Sequence, residues 1–250
     1  MSVHETARRG FANAADVYEE SRPGYPDQTV EWLIGQLDLR PGRTVVDLAA
    51  GTGKLTRLLT PTGATVIAIE PVDEMREALA HTTPSADART GTAERTGLTD
   101  ASADAVTVAQ AFHWFDGPAA LAEIHRVLRP GGRLALIWNV RDLDHPTQRA
   151  IEDLFASYRG DTPSHRAGAW RAALETSDLF SSTAEQRFPN LQMLDADGLV
   201  RRVASTSFIA KLPAATRGDV LARARDIADG LPQPFEFPYT SEIEIFAAHR

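Results

Sequence analysis

The run Thr44-Val45-Val46-Asp47-Leu48-Ala49-Ala50-Gly51-Thr52-Gly53-Lys54-Leu55-Thr56 constrains this chain more than any other stretch. β-Branched residues lead into an acid, small residues and two glycines follow, and then a helical pattern begins. That order reads as a strand, a tight turn and a helix start, the device by which an α/β domain offers backbone N–H groups to a nucleotide-like ligand. Gly51 and Gly53 can take positive φ and leave room for a ligand against the main chain. Asp47 is expected at the strand end, pointing into the same crevice. A Walker phosphate loop needs Ser or Thr after the Gly-Lys pair, and Leu55 excludes it. A dinucleotide fingerprint wants a third small residue three positions after Gly53, where Thr56 stands, so that pattern fits weakly. Taken alone, the loop is also compatible with a glycine-bearing turn that holds no ligand.

The remaining composition narrows the class. The chain has 250 residues, 43% of them hydrophobic, enough for one well-cored domain with or without a cap. The formal net charge of -8 and the lack of a dense Lys/Arg block argue against a nucleic-acid surface. No apolar run approaches the length of a membrane span, and residues 1–10 are polar without a signal-peptide core. Cysteine is absent, which excludes disulfide and thiol chemistry. The 7 histidines are scattered without metal-ligand spacing, so no metal is expected. These features predict a cytoplasmic protein that binds neither nucleic acid nor membrane, and a monomer or homodimer is the expected state.

In chain order, residues 11–20 are mildly helical. The turn Arg22-Pro23-Gly24-Tyr25-Pro26 opens a helix with Val30, Leu33, Ile34 and Leu37 on one face. That turn is either punctuation or a lid element that brings Arg22 or Tyr25 near a ligand. A buried strand over 64–69 ends at Glu70, 23 positions after Asp47, where an acid is placed to accept from ribose hydroxyls. A helix from Asp73 carries Met75 and Leu79. A weaker segment ends at Gly91-Thr92-Ala93-Glu94, and a fourth strand spans 104–110. The cluster Gln110-Ala111-Phe112-His113-Trp114-Phe115-Asp116 follows, too aromatic for an ordinary solvent loop. Phe112 and Phe115 read equally well as a plug under the next helix. That helix carries Leu121, Ile124 and Leu128, stops at Pro130-Gly131-Gly132, and gives way to a fifth strand over 133–140. Beyond it, helices are expected over 145–159, 170–179, from Asp195 through Phe208, and from Pro213 through Ile227, with strands over 184–194 and 235–247.

Val46-Asp47 with its glycine turn, Glu70 after the second strand, and His125-Arg126-Val127-Leu128-Arg129-Pro130-Gly131-Gly132 before the fifth together resemble class I S-adenosylmethionine (SAM)-dependent methyltransferases, of the methyltransferase type 11-like group. The match covers about residues 40–140. Arg22-Pro23-Gly24-Tyr25-Pro26 and Gln110-Ala111-Phe112-His113-Trp114-Phe115 also resemble the branch that contains trans-aconitate and cantharidin methyltransferase-like enzymes acting on small acids. Ala49 stands where the family's loop carries its first glycine, and Thr92 where it often carries an Asp beside the adenine.

The resemblance implies an α/β, Rossmann-like fold: a seven-stranded, mostly parallel sheet with an antiparallel last strand, helices on both faces and a small helical cap. It implies one domain over 1–250, divided into lid helices (1–40), a cofactor half (41–140) and a substrate-side half (141–250). Asp47, Ala49, Gly51, Gly53, Glu70, Pro71, Met75, Thr92, Ala93, Glu94 and Gln110 would then line the SAM site, with S-adenosylhomocysteine (SAH) as product. Arg22, Tyr25, Trp114, Phe115, Trp138, Asn139 and Arg141 are the candidate acceptor contacts. O-Methylation of a carboxylate or hydroxyl on a small molecule is the preferred activity. N- or C-methylation of a natural product, a nicotinamide dehydrogenase, and a non-catalytic SAM-binding regulator or partner subunit are the alternatives. A carboxylate acceptor needs no general base, whereas a hydroxyl or amine does, and His113 is the best-placed candidate.

Overall fold

The computed structural model describes residues 21–249. The helical reading of residues 11–20, and with it most of the expected lid, lies outside them. Strands β1 (Thr44–Leu48), β2 (Thr65–Ile69), β3 (Asp87–Arg89), β4 (Ala103–Ala109), β5 (Leu128–Arg141), β6 (Phe180–Leu194) and β7 (Phe235–Ala248) form one sheet in the order β3-β2-β1-β4-β5-β7-β6. The pairs β1–β2, β1–β4, β2–β3 and β4–β5 are parallel, and β7 runs antiparallel to both β5 and β6. This is the expected seven-stranded sheet. Its strand order reverses between β1 and β4, the place where such sheets open a crevice at the carboxyl ends of their strands.

The helices are α1 (Asp27–Leu37), α2 (Thr56–Leu59), α3 (Asp73–Thr82), α4 (Gly117–Val127), α5 (Pro146–Ala156), α6 (Arg171–Glu175), α7 (Ala196–Ala204), α8 (Ser207–Ala210) and α9 (Ala214–Asp229). Alternation along the strands divides the core between two faces. Val45 and Val66 meet Leu33 and Leu37 of α1 and Leu59 of α2. Val46, Val106 and Leu134 meet Leu121 and Ile124 of α4.

A second core builds the cap. β6 and β7 stay paired from Phe180↔Ala248 to Leu194↔Phe235, beyond the last β5–β7 pair at Arg141↔Tyr239. Phe237 and Tyr239 on this projecting ribbon pack with Phe155 of α5, Leu199 and Val203 of α7 and Val220 of α9.

Several element boundaries differ from the sequence reading. β6 begins at Phe180, ahead of the expected residue 184, and a bulge between Ser182 and Ala184 interrupts its register. Its polar, largely exposed start belongs to a sheet edge, where alternation is weak. The helix expected to run from Asp195 through Phe208 is two. Asp195 caps α7 by accepting from the Gly198 N–H at 2.7 Å. The Ser205 hydroxyl donates back to the Arg202 carbonyl at 2.8 Å as the helix closes, the competition that Ser offers a helical backbone. Phe208 therefore sits on α8.

The turn after β1 holds Ala49 at φ 56°, Gly51 at φ 58° and Gly53 at φ 86°. A left-handed conformation costs an L-residue about 1–2 kcal/mol relative to glycine's free choice. Ala49→Gly should therefore stabilise the fold by about 1 kcal/mol, a rise in Tm of roughly 2–4 °C for a chain of this size. Thermal unfolding checks it, and an unchanged or lower Tm would show that the Ala49 methyl contributes packing worth as much as the strain.

Candidate active site

The loop is held from below by a carboxylate. Asp47 is 1% exposed, and its two oxygens accept from the Thr56 hydroxyl at 2.6 Å and the Thr107 hydroxyl at 3.0 Å. Burial pushes its carboxyl up to about 6 against those hydrogen bonds. The expected orientation into the crevice is thus corrected: Asp47 ties β1 to α2 and β4 beneath the turn. Met75 is also underneath, its sulfur 3.9 Å from where a Cβ on Gly51 would stand.

Glu70 follows β2 and faces the loop. It accepts from the Gly51 N–H at 2.8 Å and the Val72 N–H at 2.9 Å. Burial raises its carboxyl to about 7, opposed by those backbone donors. An ionised carboxylate offers about four acceptor positions, so two remain for hydroxyl donors such as those of a ribose. Pro71, partly exposed, leads on toward α3. The 92–95 turn closes through the Thr92 N–H to the Arg95 carbonyl at 3.0 Å. Ala93 is buried in the core, which leaves its backbone rather than its methyl for a ligand. Glu94 accepts from the Asp116 N–H at 3.1 Å, joining this turn to the start of α4.

Gln110 leaves β4 at φ 61°, a strained backbone for a non-glycine residue, and such strain concentrates at functional sites. It lines a cavity of 170 Å³ at the carboxyl ends of β4 and β5, under the cap. Of the 112–115 run only His113 is among the residues lining it. Phe115 is corrected from wall to plug: its ring packs edge-on against buried Phe112, 5.6 Å between centroids. Trp114 is likewise not part of this lining, and its ring tilts over His113 at 5.0 Å. Trp138 lines the cavity, 1% exposed, its ring tilted against Trp170 with 4.3 Å between centroids, and its indole nitrogen has no hydrogen-bond partner among the described residues.

Asn139 lines the cavity, yet its amide serves the framework. Its oxygen accepts from the Ser241 hydroxyl at 2.6 Å and the Asn190 amide at 3.0 Å, and its nitrogen donates to the Gly24 carbonyl at 3.0 Å. Tyr25 is brought near through the Gln110 amide, 3.5 Å from its hydroxyl. Arg22 reaches across to donate to the Ser205 carbonyl at 2.8 Å.

Arg141 ends β5 inside the cavity, its guanidinium 4.8 Å over the Phe155 ring and 2.8 Å from Glu152. Burial, then the neighbouring Arg202 charge, lower it to about 10. Glu152, Arg159, His165 and Arg202 also line the cavity and were not singled out in the sequence. Arg202 had a visible signal: it falls between Leu199 and Val203 on the apolar stripe of α7, and a charge there is buried. His113 is pushed down to about 4 by burial and then by His165 and Arg22, and His165 to about 4 by burial and its neighbouring arginines. Burial thus favours the neutral form of both imidazoles.

The sheet and the glycine turn form a Rossmann-like crevice, and comparison with known proteins gives its class as a methyltransferase. Residues 46–136 match the family model of a methyltransferase domain. An uncharacterised methyltransferase of Mycobacterium tuberculosis H37Rv is 37% identical over 217 residues, 87% of this chain and 84% of the relative. A methyltransferase-like protein of Schizosaccharomyces pombe is 35% identical over 217 residues, 86% of this chain and 84% of the relative. A solved structure from Anaeromyxobacter dehalogenans, described as a candidate type II methyltransferase, superposes with TM-score 0.64 at 23% identity, over 92% of this chain and 97% of that one. The chain belongs to the class I SAM-dependent methyltransferases, and SAM is the family's cofactor.

Glu70 gives this site a pH signature. Its folded carboxyl lies near 7 against an ordinary 4.5, so the native state holds the extra proton between those values. Stability from this group is full below about pH 4.5 and is lost as pH rises through about 7. Tm measured without ligand from pH 5 to 8 should fall less steeply in Glu70→Gln than in the wild type. Parallel curves would mean that Glu70 titrates normally.

Proposed function

We propose that this chain transfers the methyl group of SAM to a carboxylate oxygen of a small organic acid, forming a methyl ester. Residues 41–140 serve as the cofactor half and 141–250 as the acceptor half of one unit working in the cytoplasm. The observation that carries the acceptor assignment is the arginine-rich lining of the cavity, and beside it stands the buried environment of His113. His113 is the imidazole nearest Gln110 in the lining sequence, and at about 4 it is too weak a base to help an alcohol lose its proton at neutral pH. A carboxylate is already ionised there. Arginines in the cavity lining support an anionic acceptor. The small volume supports a small one, since 170 Å³ falls below the range of about 300–1,000 Å³ for drug-sized ligands.

In this reading Glu70 would accept from the ribose hydroxyls of SAM, and the main chain at Ala49, Gly51 and Gly53 and the 92–94 turn would hold the rest of the cofactor. When bound, SAM supplies a methyl on a sulfonium: the acceptor oxygen forms the new C–O bond as the C–S bond breaks and its electron pair returns to sulfur. The chain's task is to align the reactants and exclude water. Trp138, packed against Trp170, walls the cavity, and His113 stays neutral and positions the acceptor.

SAH at a hundred times its dissociation constant should stabilise the fold by roughly 2.7 kcal/mol, while NAD should do nothing. Glu70→Ala should weaken SAH about ten- to a hundredfold, the loss of a charge-assisted hydrogen bond or two. Calorimetry showing wild-type affinity would remove Glu70 from the site. With methyl-labelled SAM and a panel of small acids, single-turnover rates should be level from pH 6 to 8. His113→Gln should cost less than about tenfold and leave the profile level. A loss of about 10²–10⁴ together with a vanished pH limb would make His113 a general base and overturn the carboxylate reading.

A further inference from the structure

We infer that a second copy of this chain pairs antiparallel with the outer edge of β6, with Leu191 on the two-fold axis, so that two sheets join into one. The inference is independent of the acceptor reading, since none of the residues it uses lines the cavity. It starts from an exception on the surface. Leu191 and Met193, each 51% exposed, are the exposed large hydrophobic side chains among the described residues. They alternate along β6 and so lie on one face of the sheet, together with exposed Pro189. β6 is the last strand of the sheet and pairs with β7 alone.

The main chain of this strip points away from the sheet. Leu191 stands opposite Pro238 in the β6–β7 register. Pro238 has no N–H, and its carbonyl accepts from the N–H of Asp142, the residue after β5, at 3.3 Å. The N–H and C=O of one strand residue share a side, so this pair is not hydrogen-bonded and Leu191 turns both groups outward. The period of two gives Pro189 and Met193 the same direction, and an open edge is where a strand tolerates proline. Among the described residues none of these groups has a partner outside the β6–β7 ladder. Charges and proline normally protect such an edge. Arg187 and Pro189 guard its middle, and Leu191 and Met193 follow unguarded.

The strip is complementary to itself. Two copies related by a two-fold axis pair antiparallel, and side-chain matching selects the register. With Leu191 on the axis, Leu191 faces the partner's Leu191, Pro189 faces the partner's Met193, and Arg187 faces the partner's Asp195. Apolar meets apolar and charge meets counter-charge. Each Leu191 N–H donates to the partner's Leu191 carbonyl, and each Met193 N–H to the partner's Pro189 carbonyl. The end charges are available. Asp195 caps α7 through Oδ1, which leaves Oδ2, and Arg187 is 70% exposed, with its Nε 3.3 Å from Glu242. An axis at residue 192 would set Pro189 against the partner's Asp195, and one at residue 190 would set Arg187 against the partner's Met193. The paired stretch is short, so the dimer is weak, with a dissociation constant of roughly 10–100 µM.

Sedimentation velocity of the full-length protein tests this, with circular dichroism showing that each variant is folded. Between about 5 and 500 µM the mass should rise from 27.2 kDa toward twice that value. Leu191→Lys places two like charges on the axis and should weaken association at least tenfold. The chain has no cysteine, so single cysteines report the register. The Cα atoms of a directly opposed hydrogen-bonded pair lie about 5.5 Å apart, within disulfide reach, and Leu191→Cys should give a covalent dimer on mild oxidation. The two copies of Glu185→Cys lie roughly 40 Å apart along the strands and should not crosslink. A monomer at every concentration would overturn the proposal and leave the strip to a different partner. A dimer unchanged by Leu191→Lys would overturn the assignment to β6. Crosslinking of Glu185→Cys as readily as Leu191→Cys would overturn the register.

Discussion

One buried carboxylate organises the cofactor end of this molecule. Asp47 lies under the turn, with a hydroxyl from the following helix on one oxygen and a hydroxyl from the neighbouring strand on the other. Those bonds set where β1 stops, where α2 begins and how far β4 extends beside them. The turn above is then free to adopt three left-handed residues and to direct the Gly51 N–H at Glu70. Neither acid has a counter-ion at bonding distance among the described residues, and burial raises both carboxyls to about 6 and about 7. Stability is thereby given up in order to place hydrogen-bond acceptors inside a dry crevice.

The acceptor end follows the opposite sign. Its lining gathers guanidinium groups from β5, from α7 and from the segments around α5, with Glu152 between two of them. Aromatic faces carry much of the remaining support: Phe155 under Arg141, Phe208 under Arg159 and Tyr239 under Arg202. Such faces stabilise cations without neutralising them. Among the described residues the lining is therefore predominantly cationic.

The cofactor half was largely legible in the sequence because its signals are local. A strand, a glycine turn and an acid after the next strand are read from consecutive residues, and Thr44–Leu48, Thr65–Ile69 and Glu70 fall where the pattern places them. Side-chain orientation was less accessible. Asp47 reads from the sequence as pointing into the crevice, since nothing in the run itself shows that Thr107, 60 positions away, donates to one of its oxygens. The acceptor half depends on tertiary contacts throughout. Phe115 and His113 are two residues apart, yet one joins the core and the other lines the cavity. Arg141 was readable as a strand-end charge, whereas Glu152 and Arg159 become meaningful only once α5 has folded back over β5. The split between α7 and α8 also escaped, because Ser205 acts through its hydroxyl against the backbone rather than through periodicity.

The pairing of Leu194 with Phe235 has an evolutionary consequence. The segment from residue 195 to residue 234 leaves the sheet and returns to it at facing positions of two hydrogen-bonded strands. Topologically α7, α8 and α9 are an enlarged hairpin loop. A replacement loop of another length or sequence would begin and end at the same two points and leave the strands around β1 and β4 undisturbed. Arg202 and Phe208, which line the cavity, thus ride on an exchangeable cassette, while the turn after β1 and the rest of the lining remain with the sheet and its other connections. A lineage built on this plan can change that part of the cavity wall by trading one stretch of chain.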